Sequence, residues 1–324
     1  MNIFDIFGIF DSRKRRKIFP IINSNKRQLS LSSTEFRWSG RPTATYHWWP
    51  MKETEHNGDD PCNNLYSKRG GLDKYDELFG TSSIAYQKKK YFRKYNSKKK
   101  DAHWAGFCDL ATTLSCLYVY PKYDVSVMCD SIEQTFTPKD IEALMIVSCN
   151  NATQRSKSIF YGERNNGYDS NDMQEPYPTK LLSILTTICN DNVPFAMDIE
   201  SDTAVWNYSF DKVRISRYNK KPLSLRMNVD VIPQTGKTEY LLFIINSKAY
   251  PKKVQTLWGW INYSHGIKTE GWLTKQHPDF IWKKYKKNTE WVGNSHINPE
   301  IDTNIVYKIY QHSLHKNANI LVVT

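Results

Sequence analysis

Short metal-binding motifs are missing from this sequence, which has no HxH, HExxH or CxxC pattern. Its cysteines match no zinc-ligand spacing, and they are too few to staple 324 residues together with disulfides. There are six of them: Cys62, Cys108, Cys116, Cys129, Cys149 and Cys189. We therefore expect neither a metal nor a cofactor, and this cysteine usage favours a reducing compartment.

Long apolar runs are also missing, and no stretch is long enough to span a bilayer. At the N-terminus the apolar residues precede the charged ones, whereas a secretory signal has the reverse order, so we expect no classical export signal. Phe4, Phe7 and Phe10, followed by the basic run 13–17, predict an amphipathic and basic tail over residues 1–35. Such a tail either docks on its own domain or binds an anionic membrane surface through residues 1–17.

Acidic residues are the minority, with 33 against 45 basic residues and a net charge of +12. A basic chain attracts anionic partners such as membrane surfaces, nucleic acid and acidic proteins. The basic run 88–100 interleaves lysine with tyrosine, as single-strand binding proteins do. A basic helix that packs its aromatic residues inward gives the same pattern. We favour that interpretation, and we do not expect nucleic acid as a partner.

The stretch from Asp101 to Tyr120 predicts a buried helix, because Leu110, Ala111 and Leu114 recur at helical spacing. Cys108 then lies in the first turn of this helix, just behind a glycine turn. The positive end of the helix dipole favours a thiolate there, which is how a papain-like cysteine nucleophile is mounted. A buried structural cysteine would give the same pattern.

Helical patterns dominate the first part of the chain and strand patterns the second. Thr137 and Pro138 predict the N-cap and first position of a second helix. From Val213 onward, alternating and β-branched segments predict strands. Helices first and strands later indicate the α+β class, with a helical half at about 36–195 and a strand-rich half at about 196–324.

Five segments, taken in order, resemble the transglutaminase elicitor family of oomycetes and its bacterial homologues. They are HWAGFCDLA, FTPKDIEAL, IFYGERNN, FAMDIESDTAVWN and TEGWLTKQHPDFIW. The first resembles the Trp-Gly-x-Cys nucleophile segment, and the next two resemble an Asp-Ile-x-Ala-Leu helix and a Leu-Gly-x-Arg-x-Asn loop. The fourth is similar to an acidic strand ending in Val-Trp-Asn, and the last to the Gly-Glu-Trp and His-Pro-Asp-Phe-x-Trp motifs. The resemblance covers roughly Trp38 to the C-terminus.

The resemblance implies a papain-like α+β fold, in which a core helix carrying the cysteine packs on an antiparallel sheet. It implies acyl transfer from a protein glutamine to an amine by a Cys–His–Asp mechanism. Cys108 would be the nucleophile, and Asp198 the carboxylate that orients the histidine. We assign substrate binding to four flanking residues: Trp104, Gly106, Trp206 and Asn207. The family's bacterial members also suggest a secreted virulence effector that acts in a host cytosol.

The family's histidine is missing from its expected place shortly before the strand that carries the acid. No histidine occurs between His103 and His265, and Lys180, Leu181 or Leu182 occupies the position. Transglutaminase chemistry needs a base to form the thiolate and an acid to release ammonia, and an imidazole serves as both.

Three interpretations follow from this departure. In the first, another histidine replaces the missing one: His103 or His265, with His277 and His47 as further candidates. In the second, Cys108 stays ionised without an imidazole, through the helix dipole and Lys180. In the third, the protein is a pseudoenzyme. For His277 we favour a structural role, in which it and Asp279 bind backbone groups in an aromatic corner.

Our functional hypothesis is cysteine-dependent acyl transfer from a protein glutamine, through a thioester on Cys108. A transglutaminase and a deamidase both pass through this thioester, so the sequence does not separate them. The alternative hypothesis is a catalytically inactive papain-like pseudoenzyme that binds a protein or a membrane as an effector. The two hypotheses differ in whether an imidazole lies near Cys108.

Overall fold

The computed structural model describes residues 34–37, 46–51, 64–92, 106–148, 158–162, 176–191, 195–198, 206–219, 232–233, 235–247, 254–274, 277–284, 298–316 and 320–323. Its six α-helices are α1 (Gly71–Phe79), α2 (Ser83–Gln87), α3 (Cys108–Leu117), α4 (Pro138–Ser148), α5 (Pro178–Asn190) and α6 (Thr303–His312). A short π-helix, Lys88–Phe92, follows α2. Within these ranges the fold is mixed α and β with mainly antiparallel strands, so the predicted α+β class is confirmed.

The strands form one sheet of eight and one of three. They are β1 (Thr34–Arg37), β2 (Val125–Cys129), β3 (Ile132–Phe136), β4 (Ser158–Gly162), β5 (Phe195–Asp198), β6 (Asn207–Tyr218), β7 (Lys237–Ser247), β8 (Val254–Ser264), β9 (Ile267–Trp272), β10 (Phe280–Lys284) and β11 (Leu321–Val322). The large sheet has the order β4-β10-β5-β6-β7-β8-β9, and β1 also pairs with β6. The small sheet has the order β11-β2-β3, in which β11 and β2 are parallel.

Two large apolar cores organise these elements, and a third, small cluster joins Ala196, Phe280 and Trp282. The first lies among α1, α3, α4 and α6 and the small sheet, and α4 is its centre because all but its first two residues are buried. The second lies between α5 and one face of the large sheet, where alternate residues of β6, β7 and β8 point inward. Each core removes many apolar side chains from water, which is the main favourable contribution to folding.

Helix α3 borders both cores. Leu110 and Leu114 point into the first core. The opposite side of the helix carries small polar groups: Thr112 donates to Asn207 O at 2.8 Å, and Cys116 Sγ lies 3.8 Å from Phe195 O. The start of α3, with Cys108, is therefore held against the large sheet at the point where β5 ends and β6 begins.

Two local predictions, both of helix starts, are confirmed. Thr137 and Asp140 form reciprocal caps at the start of α4, with Thr137 N 2.9 Å from Asp140 Oδ2 and Asp140 N 3.3 Å from Thr137 Oγ1. The predicted helix at the cysteine begins at Cys108 itself. No described helix is long and apolar enough to cross a membrane.

The predicted division into a helical and a strand-rich half is not sharp. Strands β2, β3 and β4 and the start of β5 fall in the first half, and α6 falls in the second. Pairing explains this, since β4 lies beside β10 from the far end of the chain. The predicted tail over residues 1–35 lies outside the described residues except for its last two, which begin β1.

Candidate active site around Cys108

A short extended segment holds the residues just before Cys108. The backbone N–H of Phe107 donates to Trp48 O at 2.7 Å and to Trp49 O at 3.1 Å, and Pro50 forms a β-bridge with Gly106. We call residues 46–51 the strap. A Cβ on Gly106 would lie 2.0 Å from a ring carbon of Trp48, so only glycine allows this close approach.

Asn207, the first residue of β6, contacts the thiol directly. Its Nδ2 lies 3.6 Å from Cys108 Sγ, and its backbone N–H also donates to the sulfur. Cys108 is the first residue of α3, where backbone N–H groups lack intrahelical acceptors. The sulfur therefore lies at the start of a helix and accepts two hydrogen bonds from Asn207.

Two further residues fix Asn207 in place. Trp282 of β10 donates its indole N–H to Asn207 Oδ1 at 2.9 Å. Thr112, one turn after Cys108, donates to Asn207 O at 2.8 Å. Side chain and backbone of Asn207 are thus both anchored, and the anchor comes partly from the helix that carries the thiol.

Asp198 ends β5 directly opposite Asn207 in the strand ladder and is fully buried. Its Oδ1 accepts from Trp206 N at 3.4 Å, and its backbone carbonyl accepts from Asp279 N at 3.1 Å. The family resemblance implies that this carboxylate orients a histidine, and that role stays a prediction. In the structure it holds the backbone at the start of β6, and so it supports the position of Asn207.

The electrostatics at the thiol differ from the prediction that the helix dipole favours a thiolate. Burial, the dominant cause, raises the pKa of Cys108 from 9.0 to about 12, and the charge of Asp109 acts in the same direction. The backbone and side-chain hydrogen bonds from Asn207 oppose this shift in pKa, and the charge of Asp198 adds to it. Desolvation and two carboxylates outweigh the helix terminus, so the resting group is a neutral thiol.

An aromatic wall stands beside the thiol. The rings of Trp48 and Trp206 meet edge-on at 5.6 Å, and both side chains are half-buried. Trp206 directly precedes Asn207, and Trp48 packs on Gly106. The structure therefore brings together Cys108, Asp198 and three of the four predicted substrate-binding residues: Gly106, Trp206 and Asn207.

The structure separates His265 from Cys108. His265 and Gly266 both have positive φ and form the tight turn between β8 and β9, and His265 is exposed. This turn lies at the opposite end of the sheet from Asn207, about 15 residues or roughly 50 Å along the strands at about 3.4 Å per residue. Its sequence position suited a base, but its residues serve a hairpin turn.

Lys180 is also placed away from the thiol. It is exposed on α5, and its neighbour Thr179 donates its backbone N–H to Glu270 of β9 at 2.7 Å. Helix α5 packs on β8 and β9, and β7 separates these two strands from β6. The first turn of α5 therefore lies away from the start of β6, where Asn207 contacts the thiol. The interpretation in which Lys180 keeps Cys108 ionised is therefore not supported.

Two other candidate histidines contact side chains other than Cys108. His277 stacks on Trp272 with ring centres 6.0 Å apart, in the corner that the sequence predicted. His47 lies in the strap, and its Nδ1 is 3.2 Å from both carboxylate oxygens of Glu142. His103 and Trp104, the remaining predicted site residues, lie outside the described residues.

Sequence reasoning missed two residues that contact the site. The sequence places Trp282 in the same aromatic corner as His277 but predicts no contact with Cys108 or Asn207, and it predicts no role for Thr112. A tryptophan following a buried strand pattern gives no sign of the partner of its N–H group. The signal for Thr112 is its spacing of four residues from Cys108, which places both on one helix face.

The described residues contain no group of three or more His, Cys, Asp or Glu side chains arranged to hold a metal ion. Comparison with family models, with characterised proteins and with solved structures found no match to this chain. The family resemblance of the five segments therefore stays a prediction.

Proposed function

We propose that this chain is a cysteine-dependent acyltransferase in which Cys108 attacks the side-chain carboxamide of a glutamine in a protein substrate. A thioester forms, ammonia leaves, and a primary amine or water then takes the acyl group. With an amine the product is a crosslink or conjugate; with water it is a glutamate. The fold we propose is papain-like, as the family resemblance implies.

The observation that supports this proposal best is the surrounding of the sulfur. Cys108 begins a helix, and both N–H-bearing groups of Asn207 point at Sγ. Donors around the sulfur stabilise the thiolate, which is the form that attacks the carboxamide. A cysteine buried only for packing would have apolar neighbours instead.

The raised pKa of Cys108 defines what the reaction still needs. At pH 7 the group is a thiol, so a base must accept its proton when the substrate binds. That proton must then reach the departing nitrogen, because ammonia is a better leaving group than the amide anion. His103 remains our proposed base, since it lies five residues before Cys108 in the chain.

A fluorescent primary amine with casein as glutamine donor tests the proposal, together with ammonia release in the absence of the amine. We expect Cys108→Ala to abolish both signals and His103→Ala to reduce them at least about a hundredfold. Cys129→Ala is the matched control, since Cys129 is a free, half-buried cysteine on β2 of the small sheet. Turnover that survives Cys108→Ala would refute the proposal.

A pseudoenzyme is the second candidate function, and the thiol pKa of about 12 favours it. In this case the papain-like fold would serve to bind a partner protein or an anionic membrane. Two results together would favour it: no turnover by the wild-type protein, and iodoacetamide alkylation of Cys108 that rises only above about pH 9 with or without a glutamine peptide.

A further inference from the structure

The geometry points to Trp282 as a positioning residue that turns the amide of Asn207 into a fixed hydrogen-bond donor for the oxyanion formed at Cys108. This inference rests on the proposed acyl transfer. It adds one residue that touches the reacting atoms, Asn207, and one that acts through it, Trp282.

The orientation of the Asn207 amide follows from donor and acceptor types alone. The two ends of an asparagine amide are an acceptor oxygen and a donor nitrogen. An indole N–H only donates, so the end that faces Trp282 must be Oδ1. The other end, which faces Cys108 Sγ at 3.6 Å, must then be Nδ2. A rotated amide would set N–H against N–H at Trp282.

The packing around Trp282 keeps its indole N–H directed at Asn207 Oδ1. Its side chain is almost fully buried, and β10 lies between β4 and β5 in the ladder, with Trp282 opposite Ala196. Thr112 holds the backbone carbonyl of Asn207 from the other side. The amide is therefore held in advance of any substrate, and such preorganised donors are the most effective in stabilising developing charge.

The step that this donor serves is the attack of Sγ on the carboxamide carbon. As the C–S bond forms, the π electron pair of the carbonyl moves to oxygen and creates an oxyanion bonded to the same carbon. The oxyanion lies next to the sulfur, within reach of Nδ2. The pair then re-forms the C=O bond, the C–N bond breaks, and nitrogen leaves as ammonia carrying the proton of the thiol.

The same donor also faces the sulfur in the resting protein, so alkylation of Cys108 reports on it without any substrate. The charged groups facing this sulfur are Asp109 on α3 and Asp198 on β5, and both favour the neutral thiol. Loss of the Asn207 donor removes an opposing contribution. The rate of alkylation at a given pH should therefore fall.

The test is a double-mutant cycle with iodoacetamide between about pH 7 and 10.5. We expect Asn207→Ala and Trp282→Phe each to slow Cys108 alkylation about tenfold at pH 9, the size of one lost hydrogen bond to a charged group. In the Asn207→Ala background, Trp282→Phe should have no further effect, because Trp282 acts only through that amide. Trp258→Phe, a half-buried tryptophan on β8, is the matched control and should leave the profile unchanged.

The amine-incorporation assay supplies the second measurement. For both variants we expect kcat to fall about a hundredfold or more with KM nearly unchanged, since the donor acts in the transition state. Trp282→Phe with a wild-type alkylation profile would overturn the inference, as would additive effects in the double variant. Failure of the proposed function looks different: turnover is absent or independent of Cys108, while the alkylation cycle still reports the Trp282–Asn207 coupling.

Discussion

Two polar clusters lie along helix α3, one built around a thiol and the other around an imidazole and a carboxylate. The first is at the start of the helix and joins Cys108, Asn207 and Asp198. The second lies where the strap passes the C-terminal half of the helix, since Tyr46 N donates to Ser115 Oγ at 3.3 Å. There His47 binds the fully buried Glu142, which also accepts from Tyr120 at 2.8 Å.

The difference shows that residue types alone do not make a site. An imidazole paired with a carboxylate is present at the second cluster, where it anchors the strap to α4. A thiol with hydrogen-bond donors is present at the first. The strap connects the two clusters physically, because His47 is followed by Trp48, whose carbonyl binds the N–H next to Cys108. We therefore expect a change at the second cluster to reach the first through the backbone of the strap.

The largest effect that would test this comparison is expected from Glu142→Ala. This change leaves the His47 N–H groups and the Tyr120 hydroxyl without their buried acceptor, which should cost about 3 kcal/mol of unfolding free energy. Urea denaturation measures it. Glu133→Ala, an exposed glutamate on β3, should change stability by less than about 0.5 kcal/mol. Equal effects in the two variants would show that Glu142 does not anchor the strap.

The contact between strap and thiol segment can be broken at Gly106. A Cβ there would lie 2.0 Å from the Trp48 ring and 2.9 Å from Trp49 O, so Gly106→Ala should cost about 2 kcal/mol. Thermal or urea unfolding gives the value. In a Trp48→Ala background the closer clash is gone. Gly106→Ala should therefore lower the unfolding free energy by less in that background than in the wild-type protein. An equal loss in both backgrounds would place the strain elsewhere.

Much of the fold follows from local sequence patterns. The helix at Cys108, the capped start of α4 at Thr137 and the strand patterns that fall in β6, β7 and β8 agree with the structure. The strand pattern at 225–233 lies almost wholly outside the described residues. In each case periodicity or cap chemistry acts within about ten residues. The order of the strands could not be read in this way. Pairing of β10 with β4 and β5 depends on contacts more than 80 residues apart in sequence, which no local pattern encodes.

The site was predictable in its residues but not in its electrostatics. The family resemblance implies that Asp198, Trp206 and Asn207 lie near Cys108, and the structure places them there. The raised pKa of Cys108 could not be predicted in this way. The helix terminus is visible in the sequence, whereas the burial of the thiol and the carboxylate of Asp198 that faces it are not. His265 was misplaced for a similar reason, since its hairpin position depends on a turn that needs positive φ.

The pH dependence of the unfolding free energy tests whether the thiol of the first cluster is buried. The folded pKa of Cys108 lies near 12 against an ordinary 9.0, so the unfolded chain loses this proton first as pH rises. The contribution of this thiol to the unfolding free energy is then fully present below about pH 9 and is lost as the pH rises toward 12. Between pH 8 and 10 the loss is about 1.4 kcal/mol. Denaturation across this range should show a shallower decline for Cys108→Ser. An unchanged slope would mean that the thiol is not desolvated.

The smallest effect concerns the charge next to the thiol. Asp109 contributes more than Asp198 to raising the pKa of Cys108, and the two opposing contributions of Asn207 lie between them. Asp109→Asn should therefore speed iodoacetamide alkylation of Cys108 at pH 9 by about fivefold, the equivalent of roughly 1 kcal/mol between neighbouring charges. Asp198→Asn should speed it less, provided that unfolding shows both variants folded. The opposite order would mean that the buried carboxylate across the ladder, and not the one on the helix, controls the thiol.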